Sequence, residues 1–394
     1  MAYLKFQADH IFTGTEILQR NFVLITNEKG MIQEIVASKE AGEDVQHFKG
    51  MLTPGFVNCH CHLELSHMKG KIPSRTGLVD FLITVIKQRG AAKEFIFDSM
   101  RQAEQELYNS GTVAVGDICN TTDTIGFKQK SKLRFYNFLE SLGFTETKAA
   151  DRFAFAENTA EQFGSLNNEC AIVPHAPYSV SKQLFDLINN ASTGKTISIH
   201  NQESAAEEDL YKTGDSDFKR LYSALGIDAS FFKASGKSSL QTYLPWLNNA
   251  RNLILVHDTY TSEEDLQITD QQSHITNQQV FFCLCPNANL YIEGKMPPVE
   301  IMRKNNCNMV IGTDSYASNR SLNMLDEIRR IQHESAFSIP TAEILQWATH
   351  NGAKALQMDD KLGSFEKGKS PGVVLIDELS NQYITTKSTA KRII

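Results

Sequence analysis

Pro54-Gly55-Phe56-Val57-Asn58-Cys59-His60-Cys61-His62 closes an apolar run, and the two-residue spacing of its histidines decides how the rest of the chain is read. In an extended segment alternate side chains share one face, so His60 and His62 can point together at one ion. Neutral imidazole suits zinc, iron and related metals. A His-x-His pair alone also fits an ordinary surface strand, so the matter turns on whether other ligands arrive at matching places.

They do. Short β-rich runs ending in a polar or charged residue recur at Thr112 to Asn120, Leu133 to Glu140, Cys170 to His175, Thr196 to His200, Leu253 to His257, Val280 to Cys285 and Met309 to Asp314. With the run ending at His60 they make about eight strands, each separated from the next by enough chain for a helix. That is the pattern of an α/β protein built as a (β/α)8 TIM barrel. Two of the intervening stretches read as helices: Gly77 to Arg89, with Leu78, Phe81, Leu82 and Val85 on one face, and Phe95 to Tyr108. Chemistry in such barrels collects at the carboxyl ends of the strands, where His60, His62, His175, His200, His257 and Asp314 fall. Each histidine singly fits a satisfied core or loop position, but five of the chain's 11 at strand ends do not. His10, His47, His67, His274, His333 and His350 lack that placement and read as structural.

Composition narrows the function classes. The 394 residues carry a formal charge of -7 and no basic stripe, which argues against nucleic acid or an anionic membrane as partner. Met-Ala-Tyr-Leu-Lys-Phe-Gln has no cationic region before an apolar one, and no apolar stretch reaches about 20 residues. A soluble cytoplasmic protein acting on a small molecule is expected, with a homodimer allowed. The seven cysteines form no Cys-x-x-Cys and read as buried thiols in a reducing compartment.

The two ends of the chain have a different texture. Phe22-Val-Leu-Ile-Thr and Met31-Ile-Gln-Glu-Ile-Val flank the turn Asn27-Glu-Lys-Gly30, and Gly368-Lys-Ser-Pro-Gly372 feeds Val373-Val-Leu-Ile. Residues 1–52 and 358–394 are expected to combine in a small β-sandwich beside a catalytic barrel of residues 53–357.

Pro54-Gly-Phe-Val-Asn-Cys-His-Cys-His-Leu-Glu64, His175-Ala-Pro-Tyr-Ser179, His200-Asn-Gln-Glu203, Leu255-Val-His257, Cys285-Pro-Asn-Ala-Asn-Leu290 and Gly312-Thr-Asp-Ser-Tyr-Ala-Ser-Asn319 together resemble the amidohydrolase superfamily, in its cytosine-deaminase and chlorohydrolase-like branch. His62-Leu-Glu-Leu-Ser66 followed by Gly70-Lys-Ile-Pro73 further resembles the aminofutalosine deaminase group, which acts on an adenine nucleoside. The resemblance implies that His60, His62, His200 and Asp314 bind one divalent metal, zinc before iron. Such a set lowers the pKa of water towards about 7. Binuclear relatives carry a carboxylated Lys on the fourth strand; here that strand is Cys170-Ala-Ile-Val-Pro-His175, so one metal is expected. His62-Leu-Glu64 lacks the Pro-Cys-x-x-Cys partner of the cytidine-deaminase signature, which sets that fold aside.

By the same resemblance Glu203 protonates the ring nitrogen beside the attacked carbon and passes protons to the departing amine. Glu207 and Glu208 read as solvated helix-start carboxylates. His257 orients or polarises the attacking water, Asp314 takes a proton while ligating, and His175 contacts the substrate. Glu64 and Glu140 fix a sugar or ring, while Ser315 and Asn319 orient Asp314. The reaction expected is hydrolytic deamination of an aminated heterocycle, an adenine nucleoside such as aminofutalosine being favoured. Dechlorination or cyclic-amide hydrolysis is the alternative on the same scaffold. A non-catalytic barrel would show itself by lost ligands, and all four are present.

Overall fold

The computed structural model describes residues 3–164 and 169–394, so the first two residues of the expected N-terminal segment lie outside the described residues. That segment forms β1 (Tyr3–Gln7), β2 (His10–Phe12), β3 (Ile17–Gln19), β4 (Phe22–Asn27), β5 (Ile32–Ala37), β6 (Val45–His47) and β7 (Met51–Pro54). β4 and β5 pair across the predicted turn. There Asn27 Oδ1 accepts the N–H of Lys29 (2.9 Å) and of Met31 (3.0 Å), and Gly30 takes a φ of 78° that favours glycine.

Eight parallel strands follow: β8 (Phe56–Cys61), β9 (Thr112–Cys119), β10 (Arg134–Ser141), β11 (Glu169–Pro174), β12 (Thr196–Asn201), β13 (Asn252–His257), β14 (Gln279–Leu284) and β15 (Asn308–Ile311). The expected runs are all present as strands, although the last ends at Ile311 and leaves Asp314 just beyond it. Helices stand between them, including Leu78–Gln88 and Lys93–Asn109 after β8. β9, β12 and β13 are buried over their whole length, as strands covered on both faces must be.

Where a single eight-stranded ring was expected, pairing is continuous in two sheets of four, ordered β11-β10-β9-β8 and β12-β13-β14-β15. The ladder breaks at the seams because the chain leaves strand geometry there to aim polar side chains. Both seams are still crossed by backbone bonds. His200 N–H donates to His175 O (3.0 Å), and the N–H groups of Thr313 and Asp314 both donate to His60 O (3.0 Å each).

At the far end β16 (Val373–Ile376) pairs antiparallel with β7 and with β17 (Ala390–Arg392), giving a sheet ordered β17-β16-β7-β2-β3 that joins the two ends of the chain. The other terminal sheet runs β5-β4-β1-β6. Phe6, Leu24 and Ile32 of one and Ile11, Leu52 and Val373 of the other share one buried apolar cluster. No helix among the described residues is long and apolar enough to cross a membrane.

Gly312 marks a tight approach behind the strand-end cluster. A Cβ there would lie 2.8 Å from His60 Cβ and 3.0 Å from the sulfurs of Cys283 and Cys285. Gly312→Ala should therefore destabilise the protein by about 1–3 kcal/mol in urea unfolding, as overpacking does. Gly126→Ala, which meets nothing within 4 Å, is the control and should be neutral.

Candidate active site

Four donor groups converge at the carboxyl ends of β8, β12 and β15. His60 and His62 leave β8 on one face with their Nε2 atoms 3.0 Å apart, and His200 Nε2 lies 3.3 Å from His62 Nε2. Asp314 Oδ1 is 3.3 Å from His62 Nε2 and 3.6 Å from His60 Nε2. Ligands at about 2.0–2.1 Å from one tetrahedral ion sit about 3.3 Å from each other, so these spacings fit a divalent metal. His60, His62 and His200 form a group able to hold one, and Glu140, His175 and His200 form a second. The second fits less well, because His200 approaches Glu140 through Nδ1 (3.8 Å), the atom already bonded to His175 O at 2.7 Å.

Protonation states agree with that fit. Burial lowers all three imidazoles, His62 to about 3, and His200 well below the usual range with further help from neighbouring histidines. Burial opposes the charge on Asp314, but the adjacent His60 imidazole and the attraction of His62 and His257 overcome it and hold the carboxyl well below its ordinary value. Neutral imidazoles beside an ionised carboxylate are the forms a cation requires. His200 keeps Nε2 free because Nδ1–H donates to His175 O. Ser318 Oγ donates to Asp314 Oδ2.

Around this core stand the other predicted residues. Burial raises Glu203 well above a normal carboxyl, with Asp314 and Glu293 adding to the shift, and Glu203 Oε1 faces His257 Nε2 at 3.6 Å. His257 Nδ1 bonds Asn289 Oδ1 (2.9 Å), while Asn289 Nδ2 donates to the carbonyl of His257 (2.9 Å) and to Thr259 Oγ1 (2.8 Å). His257 is thereby fixed with Nδ1 as donor and Nε2 as acceptor towards the cleft. His175 is lowered to about 4 by burial and then by His60 and His257, and its Nδ1 meets Ser179 Oγ at 2.7 Å. Glu64 accepts the N–H of Asn120 (3.2 Å) and of Thr121 (2.9 Å) and the Thr121 hydroxyl (3.0 Å). Glu140 accepts from Asn120 Nδ2 on one oxygen (3.0 Å) and buries the other without a partner. Burial lifts both carboxyls to about 7.

Three features depart from the sequence reading or escaped it. Glu207 and Glu208 are buried rather than solvated: Glu207 accepts the N–H of Gln202 (2.9 Å) and of Glu203 (3.3 Å), tying down the loop that carries the acid. Ser318, not Ser315, touches Asp314, and Ser315 meets Ser318 at 3.4 Å. Asn319 bonds Thr313 O (2.9 Å) and Glu327 Oε1 (2.7 Å), so it reaches Asp314 only through the backbone. Ser318 and Asn289 lay inside quoted motifs but had no role there. His67 Nε2–H donates to Arg89 O (2.8 Å), in keeping with its structural reading.

The cleft over these groups has two unlike sides. Polar Glu64, Glu140, His175, His200, Glu203 and His257 line its floor, while Leu78, Phe81, Leu82, Val85, Leu221 and Leu225 line a wall contributed by helices Leu78–Gln88 and Phe218–Ala224 and the residue that follows the second. Arg89 stands at the rim, and its guanidinium has no ion pair or hydrogen bond among the described residues.

This fold and this strand-end cluster define an amidohydrolase, and residues 51–392 match the amidohydrolase family. The chain belongs to that family and is a hydrolase acting on carbon–nitrogen bonds. It is 27% identical over 84% of its length to a 5-methylthioadenosine/S-adenosylhomocysteine deaminase of Thermoanaerobacter pseudethanolicus, covering 74% of that protein. It is 26% identical over 92% of its length to a 5'-deoxyadenosine deaminase of Methanococcus maripaludis, covering 83% of it. Its fold superimposes on aminofutalosine deaminase of Helicobacter pylori, crystallised with methylthio-coformycin, with a TM-score of 0.82 and 23% identity over 99% of this chain and 100% of that one.

The raised carboxyls give the metal-free protein a pH signature. A carboxyl lifted to about 7 in the folded state contributes stability that is full below its unfolded value, near about 4.3, and is lost as pH rises through about 7. Glu140→Gln cannot ionise, so its melting temperature, followed by calorimetry after chelation, should fall less than the parent's between about pH 5 and 8. Parallel declines would show that Glu140 is ionised throughout.

Proposed function

We propose that the chain is a hydrolytic deaminase of adenine nucleosides, replacing the ring amine by oxygen and releasing ammonia. The observation that carries this reading is the buried Glu203 carboxyl, pushed up by burial and facing His257 across the same cleft as the His60, His62, His200 and Asp314 cluster. A protonated acid beside an acceptor imidazole suits a reaction in which the ring gains a proton as water loses one. The relatives named as deaminases of 5-methylthioadenosine and 5'-deoxyadenosine support the adenine nucleoside class.

His60, His62, His200 and Asp314 would hold one divalent ion, zinc before iron, which when bound makes a water acidic enough to attack at neutral pH. Glu203 gives its proton to the ring nitrogen next to the attacked carbon. His257 Nε2, left as an acceptor by Asn289, takes a proton from the attacking water, and ionised Asp314 is a second acceptor. Glu203, ionised by its transfer to the ring, takes the second proton of the added water and passes it to the leaving amine, and the proton held by His257 restores the acid. His175, Glu64 and Glu140 line the floor where a ring and sugar would lie, and the apolar wall suits an extension on the sugar. Arg89 at the end of that wall favours a carboxylated extension, such as that of aminofutalosine.

The same reading takes residues 53–357 as one (β/α)8 barrel, its halves joined by the seam bonds at His60 and His200. Residues 1–52 and 358–394 form a β-sandwich about their shared apolar cluster. Seven free cysteines support a reducing, cytoplasmic setting.

Glu203→Gln should retain the metal and fold but lose about 10²–10⁴ in turnover or more, since proton transfer is used twice per cycle. Elemental analysis of both proteins should find one zinc or iron per chain. Two tight ions, or near-normal turnover in the variant, would contradict the assignment.

Ammonia release should be seen with 5'-deoxyadenosine, 5-methylthioadenosine and a carboxylated adenine nucleoside such as aminofutalosine, and Arg89→Gln should raise KM only for the last. Release from guanine or cytosine and from no adenine nucleoside would overturn the substrate class and leave the mechanism standing.

A further inference from the structure

Asp117 and Lys128 form an ion pair at 2.5 Å with neither side chain exposed. None of the proposed chemistry uses it. Such pairs gain little stability over apolar replacements of similar volume, so their presence calls for another account. Lys128 ends the short helix Ile125–Lys128, and its ammonium also donates to Asn137 Oδ1 on β10 (2.7 Å) and to Cys119 Sγ on β9 (3.2 Å). Asp117 lies on β9, and its other oxygen accepts the backbone N–H of Leu63 at 3.0 Å.

Leu63 directly follows His62. The register of β8 against β9 shifts once between Phe56 and Val57, holds where Val57 faces Ala114 and Asn58 faces Val115, and shifts again before Cys61 meets Asp117. Irregular pairing of this kind re-aims side chains. It also removes ladder bonds from the segment carrying His60 and His62, and the Asp117 carboxylate supplies one in their place. Two residues on, Glu64 is pinned to the N–H groups of Asn120 and Thr121, just past the end of the same strand.

We propose that the buried Asp117–Lys128 pair is a positioning device that holds the His62–Leu63 backbone, and through it the His62 imidazole, in the geometry the metal requires. Lys128 keeps Asp117 in place and compensates its charge, and Asp117 grips Leu63. The inference rests on His60 and His62 being ligands, but not on any substrate.

Two charge-free double variants separate the grip from the charge. D117N/K128M keeps an oxygen for the Leu63 N–H, while D117L/K128M removes it at similar volume. Zinc dissociation constants by chelator competition should rise about 10- to 100-fold in D117L/K128M, the usual effect of losing a contact behind a ligand, and stay within about threefold in D117N/K128M. The apo proteins should melt alike. Equal affinities in the two variants, or a wild-type protein that binds no zinc, would overturn the proposal. The wild-type apo protein provides an arm that no folding defect can spoil. Hydrogen exchange at the Leu63 amide should be as slow as at amides within β9, and exchange as fast as at exposed Gly70 would also overturn it.

Discussion

Everything at the carboxyl ends of the strands depends on keeping a few polar groups out of water in fixed protonation states. His60, His200, His257 and Asp314 are each less than a tenth exposed. Desolvation drives buried imidazoles towards the neutral form and would do the same to a carboxyl. Asp314 escapes because the neighbouring histidines and the hydroxyl of Ser318 favour its charge, whereas burial and the charge of Asp314 push the Glu203 carboxyl up. The same burial thus leaves one carboxyl lowered and the other raised. The division of labour comes from local partners, as it does wherever two carboxyls in one site serve different ends.

Those states are held by contacts one layer out. His200 is fixed by His175 O, His257 by Asn289, and the Glu203 loop by Glu207. Backbone geometry reflects the demand: Gln202, His257, Asp258 and Asp314 all take positive φ values, of 44°, 80°, 55° and 56°. Non-glycine residues held there store strain that the surrounding structure must offset. All four lie where strands β12, β13 and β15 give way to loops, so regular pairing ends where side chains are aimed.

The strand-end cluster was legible because its residues obey short-range rules. A period of two put His60 and His62 on one face, and apolar runs ending in polar residues located His175, His200, His257 and Asp314. The hairpin at Asn27 was legible for the same reason, since its turn is built from its own residues. What escaped depends on distant chain. Nothing local in Glu207 distinguishes a solvated helix-start carboxylate from one buried under Ser239, and its bond from that hydroxyl spans 32 residues. Ser318 and Ser315 are equally placed by sequence to reach Asp314, and the turn between Ser315 and Ser318 decides which does. The break of the parallel strands into two sheets is likewise a matter of backbone aim at Asp314 and His200.

Reaction and substrate are written in different parts of the molecule. The groups proposed to move protons or hold an ion sit on strand ends, where the core around Gly312 is packed so tightly that a methyl group would collide with His60. Tight packing limits what can change there without loss of geometry. The apolar wall is carried instead by helices Leu78–Gln88 and Phe218–Ala224, which lie over the cleft, and its Ile86 and Leu225 are 45% and 43% exposed. Substitutions on those faces alter what the cleft admits while leaving the donor set untouched. A scaffold divided in this way allows relatives to share a reaction and differ in the group attached to the reacting ring. For this chain the wall is aliphatic and aromatic up to the unpaired guanidinium of Arg89. On the proposed reading the substrate's distant end would therefore meet the helices that follow β8 and β12 rather than the strand ends.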